Sequence, residues 1–241
     1  MAAPIIGITT YGRNAEGRFH LPGEYVDAVR AAGGLPVLLA PGENKVGEIL
    51  NFIDGLMLAG GGDIDPATYN GHMHPSIDRV DRERDQLELA LAEKVFETET
   101  PVFGICRGQQ ILNIATGGNL IEHLPEKYGE EIIHRGDGGE EVAHPVQIEP
   151  GSVLSDILGD AELPTMSKHH QAIDRVSSGW HITARSIDGV IEAQEHKHHP
   201  WMIAVQWHPE LSYQDPRHLK LFIAHVDAAD QYRQHKKNRN Q

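Results

Sequence analysis

The sequence is poor in cysteine, short of cations relative to its anions, and without any long apolar run. Cys106 is its single cysteine, so no disulfide can form within the chain and a disulfide scaffold is excluded. Lys and Arg number 21 against 35 Asp and Glu, for a formal net charge of −14. Nucleic-acid binding needs clustered Lys and Arg. The only basic cluster is the extreme tail, about 233–241, which reads as a solvated helix end and frayed terminus, so nucleic acid is not an expected partner. No stretch approaches the roughly 18 apolar residues of a membrane span. Met1 to Gly7 carries no basic flank or cleavage-site pattern, which makes a cytoplasmic protein with no membrane contact the expectation. There is no Gly-Lys-Ser/Thr, which argues against a P-loop. No histidines stand at the ligand spacing of a helix-borne metal site, so no metal is expected.

What is present is an ordinary globular composition, 39% apolar and 23% charged over 241 residues. That length suits one domain, 1–241. Strand-like and helix-like segments alternate through the first half: strands at 4–9, 35–39, 54–59 and 101–105, helices at 24–32, 45–52, 81–98 and 109–116. Acids crowd the first turns of the 81–98 helix, where they suit its dipole. Repeated β-α units imply an α/β fold with a mostly parallel central sheet flanked by helices. The second half is richer in strands, at 146–148, 180–185, 190–195 and 202–207, with a closing helix at 216–232. The segment 129–141 is polar and Gly-rich and reads as a surface excursion.

The chemistry concentrates at Val102-Phe-Gly-Ile-Cys106-Arg-Gly-Gln-Gln110. A buried-type strand runs into Gly-x-Cys-x-Gly and a helix begins at once, the pattern of a nucleophile elbow with Cys in place of Ser. Such a turn presents the sulfur at the carboxyl edge of the sheet, where the helix N-terminus favours the thiolate. A lone Cys is often a small buried hydrophobe, and it is the strand before and the helix after that favour a nucleophile. A thiolate needs a proton-shuttling base and a group to orient that base. Among 16 histidines, His208 stands out. It follows the apolar strand 202–207 and is followed by Pro209 and Glu210, so imidazole and carboxylate project to one side of an extended segment. Acyl transfer also needs donors for an oxyanion. The Arg107 N–H is one candidate, and the loop Gly60-Gly61-Gly62 can supply a second. His196, His198 and His199 look like a polar hairpin tip, and Asp63 and Asp65 like loop and capping residues.

Gly-Ile-Cys-Arg-Gly-Gln-Gln, Gly60 to Asp63 and Gln-Trp-His-Pro-Glu resemble class I glutamine amidotransferases. The wider pattern resembles the γ-glutamyl-γ-aminobutyrate hydrolase group of the peptidase C26 family. It includes Ala-Gly-Gly-Leu-Pro-Val at 32–37, Gly-Gly-Asp-Ile-Asp-Pro-Ala-Thr-Tyr at 61–69, His169-His170-Gln171 and Asp188 to Ala193. The resemblance implies a flavodoxin-like glutamine amidotransferase fold and a triad of Cys106, His208 and Glu210. It also implies an oxyanion hole from the Gly61 and Arg107 amides, and contacts to a small-molecule γ-glutamyl amide from Gln110 and the His169-His170 segment. One departure is Met166, where the family often has Asn. The implied activity is cleavage of a γ-glutamylated amine in putrescine or polyamine breakdown, without a cofactor. Two alternatives stay open: a glutaminase subunit feeding ammonia to a separate synthase, and a non-catalytic ligand-binding relative. A homodimer is the default assembly for such a chain.

Overall fold

The computed structural model describes residues 2–239. In chain order the strands are β1 (Ile5–Thr9), β2 (Tyr11–Arg13), β3 (Phe19–His20), β4 (Leu35–Leu39), β5 (Gly55–Leu58), β6 (Val102–Ile105), β7 (Leu120–Ile121), β8 (Val142–Ile148), β9 (Glu162–Ser167), β10 (Ala172–Ile173), β11 (Trp180–Ser186), β12 (Ile191–His196) and β13 (Met202–Val205). The α-helices are α1 (Gly23–Ala31), α2 (Val46–Phe52), α3 (Arg82–Val95), α4 (Arg107–Ala115), α5 (Leu124–Tyr128), α6 (Val153–Leu158) and α7 (Pro216–Arg239). Among the described residues no helix is long and apolar enough to cross a membrane.

Nine strands form one sheet in the order β4-β1-β5-β6-β13-β12-β11-β8-β9. From β4 to β13 the neighbours are parallel, and from β13 to β9 antiparallel. This is the flavodoxin-like α/β architecture with a strand-rich second half. The parallel strands β5, β6 and β13 are buried at every position, as strands covered by helices on both faces must be. One apolar layer holds Ile6, Phe103 and Val205 against Tyr25 and Val29 of α1 and Phe222 of α7. The other holds Leu56, Val102 and Ala204 against Leu87 and Leu91 of α3 and Ile111 of α4.

Several elements differ from their sequence expectation. The strand expected at 146–148 begins at Val142, and its partner β9 is an additional strand. Pro145 and Pro164 face each other in that pair. Proline removes a ladder donor and lowers strand propensity, which hides both segments. The structure tolerates them because β11 pairs only with Val146 to Ile148, leaving Pro145 outside that ladder, and because β9 is an edge. The basic tail is not frayed from residue 233. Helix α7 continues to Arg239, and Arg233 is nearly buried and paired with Asp230; residues 240 and 241 lie outside the described residues. Asp85 and Glu88 of α3 are buried and do not serve the dipole as solvated acids. Asp81 does cap the helix, its carboxylate accepting the Arg84 N–H at 3.1 Å. His198 and His199 occupy the turn between β12 and β13, with His196 ending β12, as expected.

Candidate active site

Strands β5, β6 and β13 are adjacent and parallel, with Leu58 opposite Gly104 and Ile105 opposite Val205. The chain segments that leave their carboxyl ends therefore start side by side: Gly60 to Asp63, Cys106, and Gln206 to Glu210. Parallel register is what brings together residues 46 and 102 positions apart in sequence.

Cys106 sits between β6 and α4 with φ 51° and ψ −105°. A non-glycine residue there costs on the order of 1–3 kcal/mol and persists only where its surroundings enforce it. The flanking glycines are such surroundings. A Cβ on Gly108 would lie 2.1 Å from the Leu58 carbonyl oxygen, and one on Gly104 2.9 Å from the Gly108 carbonyl carbon. Only bare backbone lets α4 start so close to β5. The Gln206 side-chain amide lies 3.5 Å from Cys106 Sγ.

His208 is nearly buried, and its Nδ1 lies 2.6 Å from Glu210 Oε1. A hydrogen bond there leaves Nε2 as the second working nitrogen. Burial alone would lower the imidazole pKa, but the charges of Glu210 and Cys106 on either side outweigh it and raise it well above the ordinary histidine value. The arrangement suits an imidazolium beside the Cys106 sulfur. Gly60 packs into the same corner: a Cβ there would meet the Tyr25 hydroxyl at 2.7 Å, His208 Cε1 at 2.8 Å and Cys106 Cβ at 3.5 Å.

The sequence reading missed the groups that hold this corner. The Tyr25 hydroxyl accepts the Gly60 N–H at 3.0 Å. Burial, then the charge of Glu210, pushes the Tyr25 phenol well above its usual value, so it stays protonated. Arg84 donates to the Ala59 and Gly60 carbonyls at 2.8 and 2.7 Å and to Glu88 at 2.8 Å. Arg107 pairs with Asp85 at 2.6 Å and Glu88 at 3.0 Å, and Thr9 donates to Glu88 at 2.7 Å. These four charges are all nearly solvent-free. They tie the Gly loop of β5 to α3 and α4. Across a trans peptide C=O and N–H point in opposite directions, so a Gly60 carbonyl held by Arg84 turns the Gly61 N–H away from that clamp. Among the described residues neither the Gly61 nor the Arg107 amide donates a hydrogen bond.

Cys106 opens onto a narrow cleft lined by Gly61, Asp63, Arg107, Gln110, His170 and Gln171, with Arg79, Arg135 and Lys168 also on its walls. His170 Nε2 lies 2.9 Å from Asp63 Oδ2. Gln110 donates to the Gln171 carbonyl and Gln206 Oε1. His169 contributes to the wall, but its ring nitrogens face the Gln171 carbonyl and Glu192. Only Nδ1 is hydrogen-bonded; Nε2 has no hydrogen-bond partner among the described residues. Met166, the departure noted in the sequence, accepts the His208 N–H through its backbone carbonyl at 2.8 Å, a role that does not depend on its side chain.

The peptidase C26 family model matches residues 4–210, a span that includes the elbow, the Gly loop and Glu210. The chain belongs to the peptidase C26 family. It is 40% identical over 239 residues to a protein of Mycobacterium tuberculosis named provisionally as a glutamine amidotransferase, covering 95% of this chain and 76% of that one. It is 35% identical over 223 residues to the γ-glutamyl-γ-aminobutyrate hydrolase of Escherichia coli, covering 87% of each. A crystal structure from Thermoplasma acidophilum, named provisionally as a GMP synthase subunit, superposes on this C26 chain with TM-score 0.68. It covers 98% of each chain at 17% identity, a likeness of fold alone.

Proposed function

We propose that this C26 chain hydrolyses a γ-glutamyl amide to glutamate and a free amine. The observation that carries the reading is the convergence of Cys106, strained at a helix start, with the His208–Glu210 pair. The Cys106 thiolate attacks the γ-carbonyl carbon and a C–S bond forms. The Gly61 and Arg107 amides, which have no other acceptor among the described residues, donate to the resulting oxyanion. His208 gives its proton to the amine as the C–N bond breaks, leaving a γ-glutamyl thioester. Neutral His208 then takes a proton from water, the hydroxide adds to the thioester, and the C–S bond breaks to release glutamate. No step calls on a cofactor.

The cleft walls favour one class of leaving amine. Arg79, Arg135 and Lys168 line it against a single lining acid, Asp63. Asp78 bridges the two arginines and Glu141 pairs with the lysine, which holds these cations in place and, with Asp63, offsets their formal charge. The guanidinium and ammonium donors on the lining support a substrate bearing carboxylates, γ-glutamyl-γ-aminobutyrate, over a γ-glutamyl polyamine, and a role downstream of putrescine oxidation. The test is glutamate release from γ-glutamyl-γ-aminobutyrate, γ-glutamylspermidine and glutamine by the isolated chain. The highest kcat/KM is expected for the first. Comparable turnover of glutamine would favour a glutaminase, as would activity only with an added synthase. No release from any of them would refute the hydrolase reading.

A further inference from the structure

Away from Cys106, four buried groups converge with their inward-facing atoms lacking hydrogen bonds. His134 lies in the excursion at 129–141, His144 on β8, His169 just after β9 and Glu192 on β12. One ligand atom from each lies within 4.8 Å of all the others. Glu192 Oε1 stands 3.2 Å from His134 Nδ1 and 3.6 Å from both His144 Nε2 and His169 Nε2. Glu192 is solvent-free and the three histidines are nearly so. All three inward-facing nitrogens and both Glu192 oxygens lack a hydrogen bond.

The outward-facing nitrogens are engaged. His134 Nε2 lies 2.9 Å from Asp188, His144 Nδ1 3.3 Å from the Pro145 carbonyl and His169 Nδ1 2.9 Å from the Gln171 carbonyl. Each of these oxygens is an acceptor, so each ring donates outward and turns its lone pair inward. That is how metal-binding histidines are oriented, by a carboxylate or carbonyl behind the ring. Three lone pairs and a carboxylate facing one another repel unless something positive lies between them. One proton on His134 satisfies a single pair and leaves the other two.

We propose that His134, His144, His169 and Glu192 bind a divalent transition-metal cation, best Zn²⁺. Tetrahedral bonds of about 2.0–2.1 Å put ligand atoms roughly 3.3–3.4 Å apart, close to the separations around Glu192 Oε1. The sequence reading expected no metal because it sought ligands at short local spacing, whereas these span 58 positions and meet only through the antiparallel half of the sheet. Four protein ligands and no solvent access make the site structural. The ion ties the 129–141 excursion and the β8–β9 edge to β12. His169 precedes His170, so the ion also fixes the wall that carries the His170–Asp63 contact. This proposal stands independently of the hydrolase reading.

The experiment uses the full chain, purified without a polyhistidine tag or chelator, with metal content measured by mass spectrometry. About one zinc per chain is expected. After chelator treatment, Zn²⁺ alone should be taken up to one equivalent against a chromophoric competitor, with a rise in Tm. Co²⁺ in its place should give the intense visible bands of a tetrahedral site, a readout that needs no variant. Glu192→Gln and His144→Ala should lose uptake at least tenfold, while His198→Ala on the exposed hairpin should keep it. Wild-type protein that carries no metal and takes up none overturns the proposal. So does uptake that survives both ligand substitutions.

Discussion

Replacing Glu210 with glutamine keeps the shape of the His208–Glu210 pair and removes its charge. The hydrogen bond is 2.6 Å long, and both groups are nearly buried. A bond to a charged group in such a place contributes roughly 1.5–3 kcal/mol. Its loss translates to about a 10- to 150-fold fall in rate at about 1.4 kcal/mol per tenfold. Glu210 does not line the cleft, so KM should hardly move, and kcat and kcat/KM should fall together. The pH dependence has a definite sign. Against the cost of burial, Glu210 raises the His208 pKa above its unfolded value, so the imidazolium and the stability it contributes persist below the unfolded pKa and are lost only as pH rises through the folded one. In Glu210→Gln that loss begins at lower pH. Steady-state glutamate release and iodoacetamide alkylation of Cys106, each followed from neutral to alkaline pH, read both effects. A variant with wild-type kcat and an unmoved pH profile would refute the assignment of Glu210 as the orienting acid.

Tyr25→Phe removes the acceptor of the buried Gly60 N–H. It should cost about 1–3 kcal/mol of stability, measured in urea, and lower kcat more than it raises KM, because Tyr25 positions the loop without lining the cleft. Gly108→Ala places a methyl group against the Leu58 carbonyl oxygen. Overpacking of about 1–3 kcal/mol should lower Tm by roughly 2–12 °C for a chain of this size, seen by circular dichroism. His225 is buried under Trp201 at a ring separation of 5.1 Å, and burial lowers its pKa to about 4. The unfolded chain therefore takes up a proton between about pH 6.5 and 4 that the native chain refuses, and stability falls by up to about 3 kcal/mol as pH drops through that window. His225→Gln should show a shallower loss of urea midpoint between pH 7 and 5.

What the sequence revealed was what lies close together along the chain. The elbow is legible because Gly104, Cys106 and Gly108 fall within five residues, and His208 and Glu210 within three. The parallel half is legible because apolar strands such as Val102–Ile105 alternate with helices of clear stripe. Interactions between distant segments were not visible. Tyr25 meets Gly60 across 35 positions, and Arg107 meets Asp85 across 22. Asp85 and Glu88 look like solvated acids at a helix start until α4 covers them. The cluster at Glu192 is hidden for the same reason, although an acid inside the buried run Val190 to Gln194 was a signal. A carboxylate is too costly to bury there unless something compensates its charge.

The most direct test is to trap the covalent step. The chain is incubated with a γ-glutamyl amide, quenched in acid during turnover, digested and mapped by mass spectrometry. A hydroxylamine-labile glutamyl group on the Cys106 peptide, absent from Cys106→Ala together with all turnover, is the expected result. Glutamate release that continues in folded Cys106→Ala, or an acyl group carried on another residue, would contradict the account.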